Sequence, residues 1–311
     1  MMPRYAVTGA FGYSGQYIAR ALLERGYQVT TLTNSPKRSC DFAHQVHILP
    51  LSFQSVDELA GSLRGAQVLI NTYWVRFDHS TFTHRQAVEN TRTLFQAARK
   101  AGVERIVHVS ITHPSQDSPL PYFSGKAELE VALHDTGIPY SILRPAVLFG
   151  GNDILVNNIA WTLRRFPFFG VMGDGNYGIR PIHVSDLATL ALEESCCTGQ
   201  RVVDAVGPES FTFRELVATL GRIIGRPRPI ISIPPMIGLF VAKLVGLYQR
   251  DVFLTKQEII GLMSGHLASD APTTGTIKLT DWAGRHADTL GRRYASELSR
   301  RRNSLASYDR L

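Results

Sequence analysis

The chain has little cysteine, little charge and no long apolar run, and each shortage removes a class of protein. Three cysteines in 311 residues, Cys40, Cys196 and Cys197, cannot build a disulfide framework. They lack metal-like spacing as well, so their usage suits a reducing cytoplasm. No uninterrupted apolar stretch approaches the ~20 residues of a membrane-spanning helix. Ten histidines are present, yet none falls in an HExxH or a Cys/His cluster, so no metal is expected. The opening residues do not combine a basic start, an apolar run and a small-residue cleavage site. Charged residues make up 19% and apolar ones 44%, the balance of an ordinary soluble globular protein.

The net charge is +7, with much of the excess in Arg292, Arg293, Arg300, Arg301, Arg302 and Arg310. These read as a solvated carboxyl-terminal helix and tail. No aromatic-interleaved basic patch accompanies them, so no nucleic-acid partner is expected. Stable membrane insertion is not expected either. Peripheral membrane contact through the apolar Met236–Tyr248 stretch and the tail stays open. The sequence does not state an oligomeric state.

What is present is a regular alternation. Arg4–Thr8, Gln28–Thr33, Val46–Leu49, Gln67–Asn71, Glu104–Ser110 and Tyr140–Leu143 read as strands. Gln16–Arg25, Val56–Leu63, Thr81–Ala101 and Tyr122–His134 read as helices, the third with Ala87, Leu94, Ala97 and Ala98 on one face. Gly26, Gly65, Gly102 and Gly137 fall where each helix must stop. This predicts an α/β fold, a doubly wound parallel sheet covered by helices on both faces. After Gly150 the rhythm changes. Residues 151–175 are apolar and aromatic, Arg201–Ala205 reads as a strand, and Thr212–Ile224 as an amphipathic helix. Four prolines make 226–235 extended, and Met236–Tyr248 reads as an apolar helix.

Two motifs carry chemistry. Gly9, Gly12 and Gly15 lie between the first strand and first helix, where a glycine turn admits a diphosphate to helix amides. Gly9 permits the turn, Gly12 the close approach of phosphate, and Gly15 the packing of helix on sheet. Tyr122 and Lys126 stand four apart on one helical face, so the ammonium can stabilise a phenolate. Residues 1–150 therefore read as a dinucleotide-binding Rossmann domain. Residues 151–311 read as a smaller, partly intertwined substrate-binding region, with 176–206 returning to the first.

Thr8-Gly9-Ala10-Phe11-Gly12-Tyr13-Ser14-Gly15 resembles the cofactor turn of the short-chain dehydrogenase/reductase superfamily, and Tyr122/Lys126 its YxxxK pair. Asn90 to Ser110, Leu143-Arg144-Pro145 through Gly150, and Arg180 to Ala188 are similar to its extended and atypical branches. The nearest of these include the complex I dehydrogenase-like accessory subunit and the epimerase/dehydratase families. The resemblance covers about residues 4–225. It implies that Thr8, Gly9, Phe11, Gly12, Tyr13 and Gly15 hold the cofactor. Ser52 would face the adenine, where relatives carry aspartate. Thr72, Tyr73 and Pro145 would lie along the sheet's carboxyl edge.

After the second strand, Asn34, Ser35, Lys37 and Arg38 replace the acid that binds a ribose hydroxyl, and no carboxylate appears before Asp41. A guanidinium can bind a 2′-phosphate bidentately. The expected cofactor is NADP(H) rather than NAD(H), although Lys37 and Arg38 could also simply solubilise a loop. The resemblance gives Tyr122 the proton-transfer role and Lys126 the ribose and electrostatic role. Ile111 stands where extended members carry the working serine, so Ser110 or Thr112 must supply the hydroxyl. Losing such a donor costs about 2.7–4 kcal/mol in a transition state. His183 and Asp186 read as helix-orienting groups, and Tyr73 and Trp74 as cofactor-edge or packing residues. The expected function is an oxidoreductase or epimerase acting on a carbonyl or hydroxyl of a small molecule. The apolar Ile154–Val171 stretch suggests a lipophilic one, although the same residues could also simply be core. The alternative is a non-catalytic dinucleotide-binding sensor or structural subunit.

Overall fold

A computed structural model describes residues 3–79, 82–303 and 305–308. Thr81, expected to open the third helix, and Arg310 of the tail lie outside the described residues. The β-rich runs form β1 (Arg4–Thr8), β2 (Gln28–Thr33), β3 (His47–Pro50), β4 (Val68–Asn71), β5 (Arg105–Val109) and β6 (Tyr140–Pro145). Between them lie α1 (Tyr13–Glu24), α2 (Val56–Leu63), α3 (His84–Ala101) and α4 (Pro121–His134).

The strands line up as Gln200–Ala205, β6, β5, β4, β1, β2, β3. Every neighbouring pair from β6 to β3 is parallel. The order reverses between β1 and β4, which makes this a Rossmann sheet with its switch point there. Helices cover both faces, so Val7, Leu69, Ile70, Ile106 and Val107 are fully buried as continuous apolar runs. On α3, Ala87, Leu94, Ala97 and Ala98 are all buried. Burying a leucine such as Leu94 contributes about 1.5–3 kcal/mol. Gly26, Gly65, Gly102 and Gly137 end their helices with φ of 74–80°.

Two compact units emerge, Met1–Pro145 with Leu187–Asp204, and Ala146–Asp186 with Ala205–Leu311. Residues 176–186, expected to return with the strand that follows, pack instead in the second unit. There Pro181–His183 pairs with Val147–Phe149, and Phe211–Thr212 with Gly178–Ile179. Asp186 accepts the backbone N–H groups of Thr276 and Ile277, both at 2.9 Å. His183 Nδ1 accepts from Ser185 N–H at 3.2 Å, at the start of the Val184–Ser195 helix.

The second unit sharpens several expectations. Within the extended 226–235 stretch, Ile230–Ile233 is a strand, parallel to Phe169–Met172. Its prolines flank the strand and so cost no ladder hydrogen bond. Most of the Ile154–Val171 apolar stretch is core: Val156, Ile159, Trp161, Leu163 and Val171 are buried. The tail is not uniformly solvated. Arg300 is buried, donating to Asn152 O and lying 4.5 Å from the Tyr308 ring centroid.

Candidate active site

The glycine turn opens directly from β1. Gly9 takes φ +68° and donates its N–H to Leu32 O at 2.9 Å, while Gly12 N–H returns to Gly9 O at 2.8 Å. Gly12 is the extended N-cap of α1, which therefore starts at Tyr13, three residues earlier than expected. Gly15 lies inside that helix. A Cβ on Gly15 would stand 2.1 Å from Gly9 O, so only glycine lets helix and turn pack. A Cβ on Gly12 would stand 3.1 Å from the same oxygen, a contact a small shift absorbs. Gly15 thus builds the turn and Gly12 forms its rim. The α1 N-terminus carries no acidic residue in its first turn, and its amides and dipole favour an anion.

Thr8 ties this turn to the end of β4. Its hydroxyl donates to Asn71 Oδ1 at 2.9 Å and accepts from Thr72 N–H at 2.8 Å. Thr72 Oγ1 donates back to Thr8 O at 2.7 Å. Asn71 Oδ1 also accepts from Tyr73 N–H, so the Asn71 amide donates to His108 Nδ1 at 3.0 Å. His108 is fully buried beside Lys126, which pushes its pKa well below the ordinary value and keeps it neutral. Three strand ends are thereby pinned at the switch point. Asn90 Nδ2 donates to Tyr73 OH at 2.8 Å, fixing the next side chain.

In the turn after β2, Ser35 N–H donates to Thr33 Oγ1 at 3.0 Å. Asn34 and Lys37 are exposed there, whereas Arg38 is buried, which a merely solubilising residue would not be. Asp41, the first carboxylate after β2, is bridged to Arg20 at 3.0 Å, which holds its carboxyl below the usual range. Phe11 is buried against Phe42, with ring centroids 6.0 Å apart. Tyr13 packs edge-on against Tyr17, and Ser52 is half-buried just beyond β3.

Tyr122 and Lys126 lie in the first half of α4, and Trp74 joins them. The indole is edge-on to Tyr122 at 5.6 Å, and Lys126 Nζ lies 4.3 Å from its ring centroid. Gly125 makes room for it: a Cβ there would meet Trp74 Cη2 at 3.1 Å. His84, at the start of α3, stacks edge-on to Tyr122 at 5.7 Å, with Nδ1 2.8 Å from Asp78 Oδ1. Trp74 Nε1 is buried without a hydrogen-bond partner among the described residues. No spacing in the sequence marks His84 and Asp78, because only the fold carries α3 to α4.

Lys126 Nζ donates to Val109 O at 2.7 Å, and burial brings its pKa down to about 7, against an upward pull from Glu130. The unfolded chain then binds more protons than the folded one between pH ~7 and ~10.4, so folding stability rises with pH across that window. Lys126→Met should remove up to about 1.4 kcal/mol per pH unit of this slope. It should also raise stability near neutral pH. Chemical denaturation at several pH values checks both; an unchanged slope would show that Lys126 titrates normally.

The two candidate hydroxyls separate. Ser110 Oγ donates to Glu130 Oε1 at 2.6 Å, and Arg144 Nε donates to the same oxygen at 3.0 Å. Ser110 and Arg144 therefore belong to a structural cluster on Glu130, one turn beyond Lys126 on the same helix. Thr112 is fully buried, its N–H donating to Pro145 O at 3.2 Å. Ile111 is buried and offers no donor.

Sheet order, glycine turn and the Tyr122/Lys126 helix together make a Rossmann-type unit that resembles the dinucleotide-binding domains of the short-chain dehydrogenase/reductase superfamily. Residues 9–159 match a family model described as NAD(P)H-binding. The chain is 24% identical over 239 residues to NADH dehydrogenase [ubiquinone] 1 alpha subcomplex subunit 9, mitochondrial, of Arabidopsis thaliana. That alignment covers 73% of this chain and spans 60% of that subunit's length. Identity is 26% over 266 residues to 2-alkyl-3-oxoalkanoate reductase of Stenotrophomonas maltophilia, covering 71% and 76% of the two chains. An NADPH-dependent quinone oxidoreductase from Escherichia coli, solved with NADPH, superposes with a TM-score of 0.75 at 23% identity. It covers 90% of this chain and 99% of that one, a likeness of fold.

The residues present fit a dinucleotide. The glycine cradle suits a diphosphate, the post-β2 turn carries no unpaired acid among its described side chains, and Trp74 holds a buried, unspent donor. No helix among the described residues is long and apolar enough to cross a membrane.

Proposed function

We propose that this protein is an NADP(H)-dependent oxidoreductase acting on a carbonyl or carbinol of a small lipophilic molecule. The observation that carries the reading is Tyr122 one helical turn from Lys126, in contact through Trp74 with the strand end that pins the phosphate turn. The cofactor, when bound, supplies or accepts hydride. Tyr122 would move the proton at the substrate oxygen, and Thr112, three residues beyond β5, is the hydroxyl we assign to the reacting carbonyl. Lys126 would hold the ribose and regain full charge beside phosphate or phenolate. The aromatic wall of Trp74, His84 and Tyr122 suits a flat or alkyl-bearing carbonyl compound. Relatives named as quinone and oxoalkanoate reductases point the same way. The three free cysteines suit a reducing cytoplasm. A screen of lipophilic quinones and ketones with NADPH tests the activity.

The choice of NADP(H) rests on buried Arg38 and on Asp41 being tied to Arg20. Arg38→Ala should weaken NADPH binding about tenfold or more while sparing NADH, whose retained affinity reports an intact fold. Equal losses for both cofactors would remove Arg38 from 2′-phosphate recognition.

A second reading, a non-catalytic dinucleotide-binding subunit, draws on the Trp74 ring against Lys126 and on the engagement of Ser110 with Glu130. Firm NADPH binding with no turnover across the screen would favour it.

A further inference from the structure

In the second unit, the Pro235–Gln249 helix turns its small residues inward and its large apolar ones outward. Gly238, Ala242 and Gly246, spaced four apart, are its buried positions. The packing there is tight. A Cβ on Gly238 would meet Met172 Cε at 3.0 Å, and one on Gly246 would meet Asp251 O at 2.6 Å. Facing away, Met236, Phe240, Leu247 and Tyr248 are 73, 62, 76 and 81% exposed. Ile237, Val241 and Leu244 complete the stripe.

At about 3.6 residues per turn these seven positions share one arc of roughly 140°. An apolar arc of that width normally faces a core; here it faces out. Aromatic side chains alone offer roughly 150–250 Å² each. Seven large side chains exceed the ~300–600 Å² of a typical monomer's largest patch.

The charges around the stripe choose its occupant. No Asp or Glu occurs from Arg226 to Arg250. Lys243 and Arg250, both exposed, are seven apart and so edge the stripe on one line. The next acid, Asp251, is buried, accepting from Tyr294 OH and from the N–H groups of Glu297 and Leu298. Two copies meeting through this face would bring their cations together with no acid of the helix to neutralise them. An anionic lipid surface supplies that charge. At about 1.5 Å per residue the helix is also too short for a ~30 Å hydrocarbon core, so it would lie flat.

We propose that this stripe docks on a membrane surface carrying anionic lipids. Its apolar side chains enter the boundary between headgroups and acyl chains, and Lys243 and Arg250 meet the phosphates. The test is flotation of the full chain with phosphatidylcholine vesicles, with and without phosphatidylglycerol. The protein should float with the mixed vesicles, about tenfold less with the neutral ones, and less again at high salt. Phe240→Glu with Leu247→Glu changes only exposed side chains. It should abolish flotation while leaving thermal melting and NADPH binding unchanged. Lys243→Glu alone should lower the preference for anionic vesicles. Failure to float with either vesicle would overturn the proposal, as would flotation that survives the two glutamates. A dimer that the glutamates dissociate, in a protein that binds no vesicle, would give the stripe to a second copy instead.

Discussion

Gly12→Val should lower NADPH affinity at least a hundredfold, about 2.7 kcal/mol, and leave a folded protein. Gly12 has φ −86° and ψ −179°, backbone that any residue adopts. Its Cβ would meet Gly9 O at 3.1 Å, so the turn can yield slightly and survive. The branched side chain would then project from the N-cap of α1, where a diphosphate must approach the first-turn amides. Gly15→Val offers the contrast. Its Cβ would fall 2.1 Å from Gly9 O, so the turn itself should break and stability should fall with binding. Calorimetric titration with NADPH, alongside thermal melting, separates the two effects. Normal affinity in the Gly12 variant would place the cofactor elsewhere.

Tyr122→Phe should reduce turnover of any substrate found with NADPH by about a hundred- to ten-thousandfold, the usual contribution of general acid–base catalysis. Cofactor affinity should stay nearly unchanged. The ring is held edge-on by Trp74 and His84 at 5.6 and 5.7 Å, contacts that phenylalanine keeps. Only the hydroxyl is lost. Initial rates at saturating NADPH give the comparison. Full activity in the variant would transfer the proton-moving role to another group.

Much of the first unit was legible because local signals and fold agree there. Parallel strands buried on both faces must be continuous apolar runs, and each helix ends on a glycine with positive φ. The start of α1 was misread because Gly15, a poor helix former, is helical here for the sake of its approach to Gly9. The Ile230–Ile233 strand was hidden by prolines that lie just outside its ladder.

At the candidate site, spacing alone joined Tyr122 to Lys126 but could not show what covers them. Trp74 was read as edge or packing, and the fold sets it against both. Gly125, inside the YxxxK pair, was the signal, since a helix glycine often marks a close neighbour. Glu130, four residues beyond Lys126, could have been recognised as an acceptor within reach of Ser110 Oγ. The solvated tail failed at Arg300 because a contact with Asn152 spans 148 positions of sequence.

Titration of the unmodified full chain with NADPH and with NADH, side by side in a calorimeter, tests the central claim most directly. The buried Arg38 and the glycine turn predict one site per chain, with NADPH the tighter ligand by about tenfold or more. Tighter binding of NADH, or no binding of either nucleotide, would contradict the account.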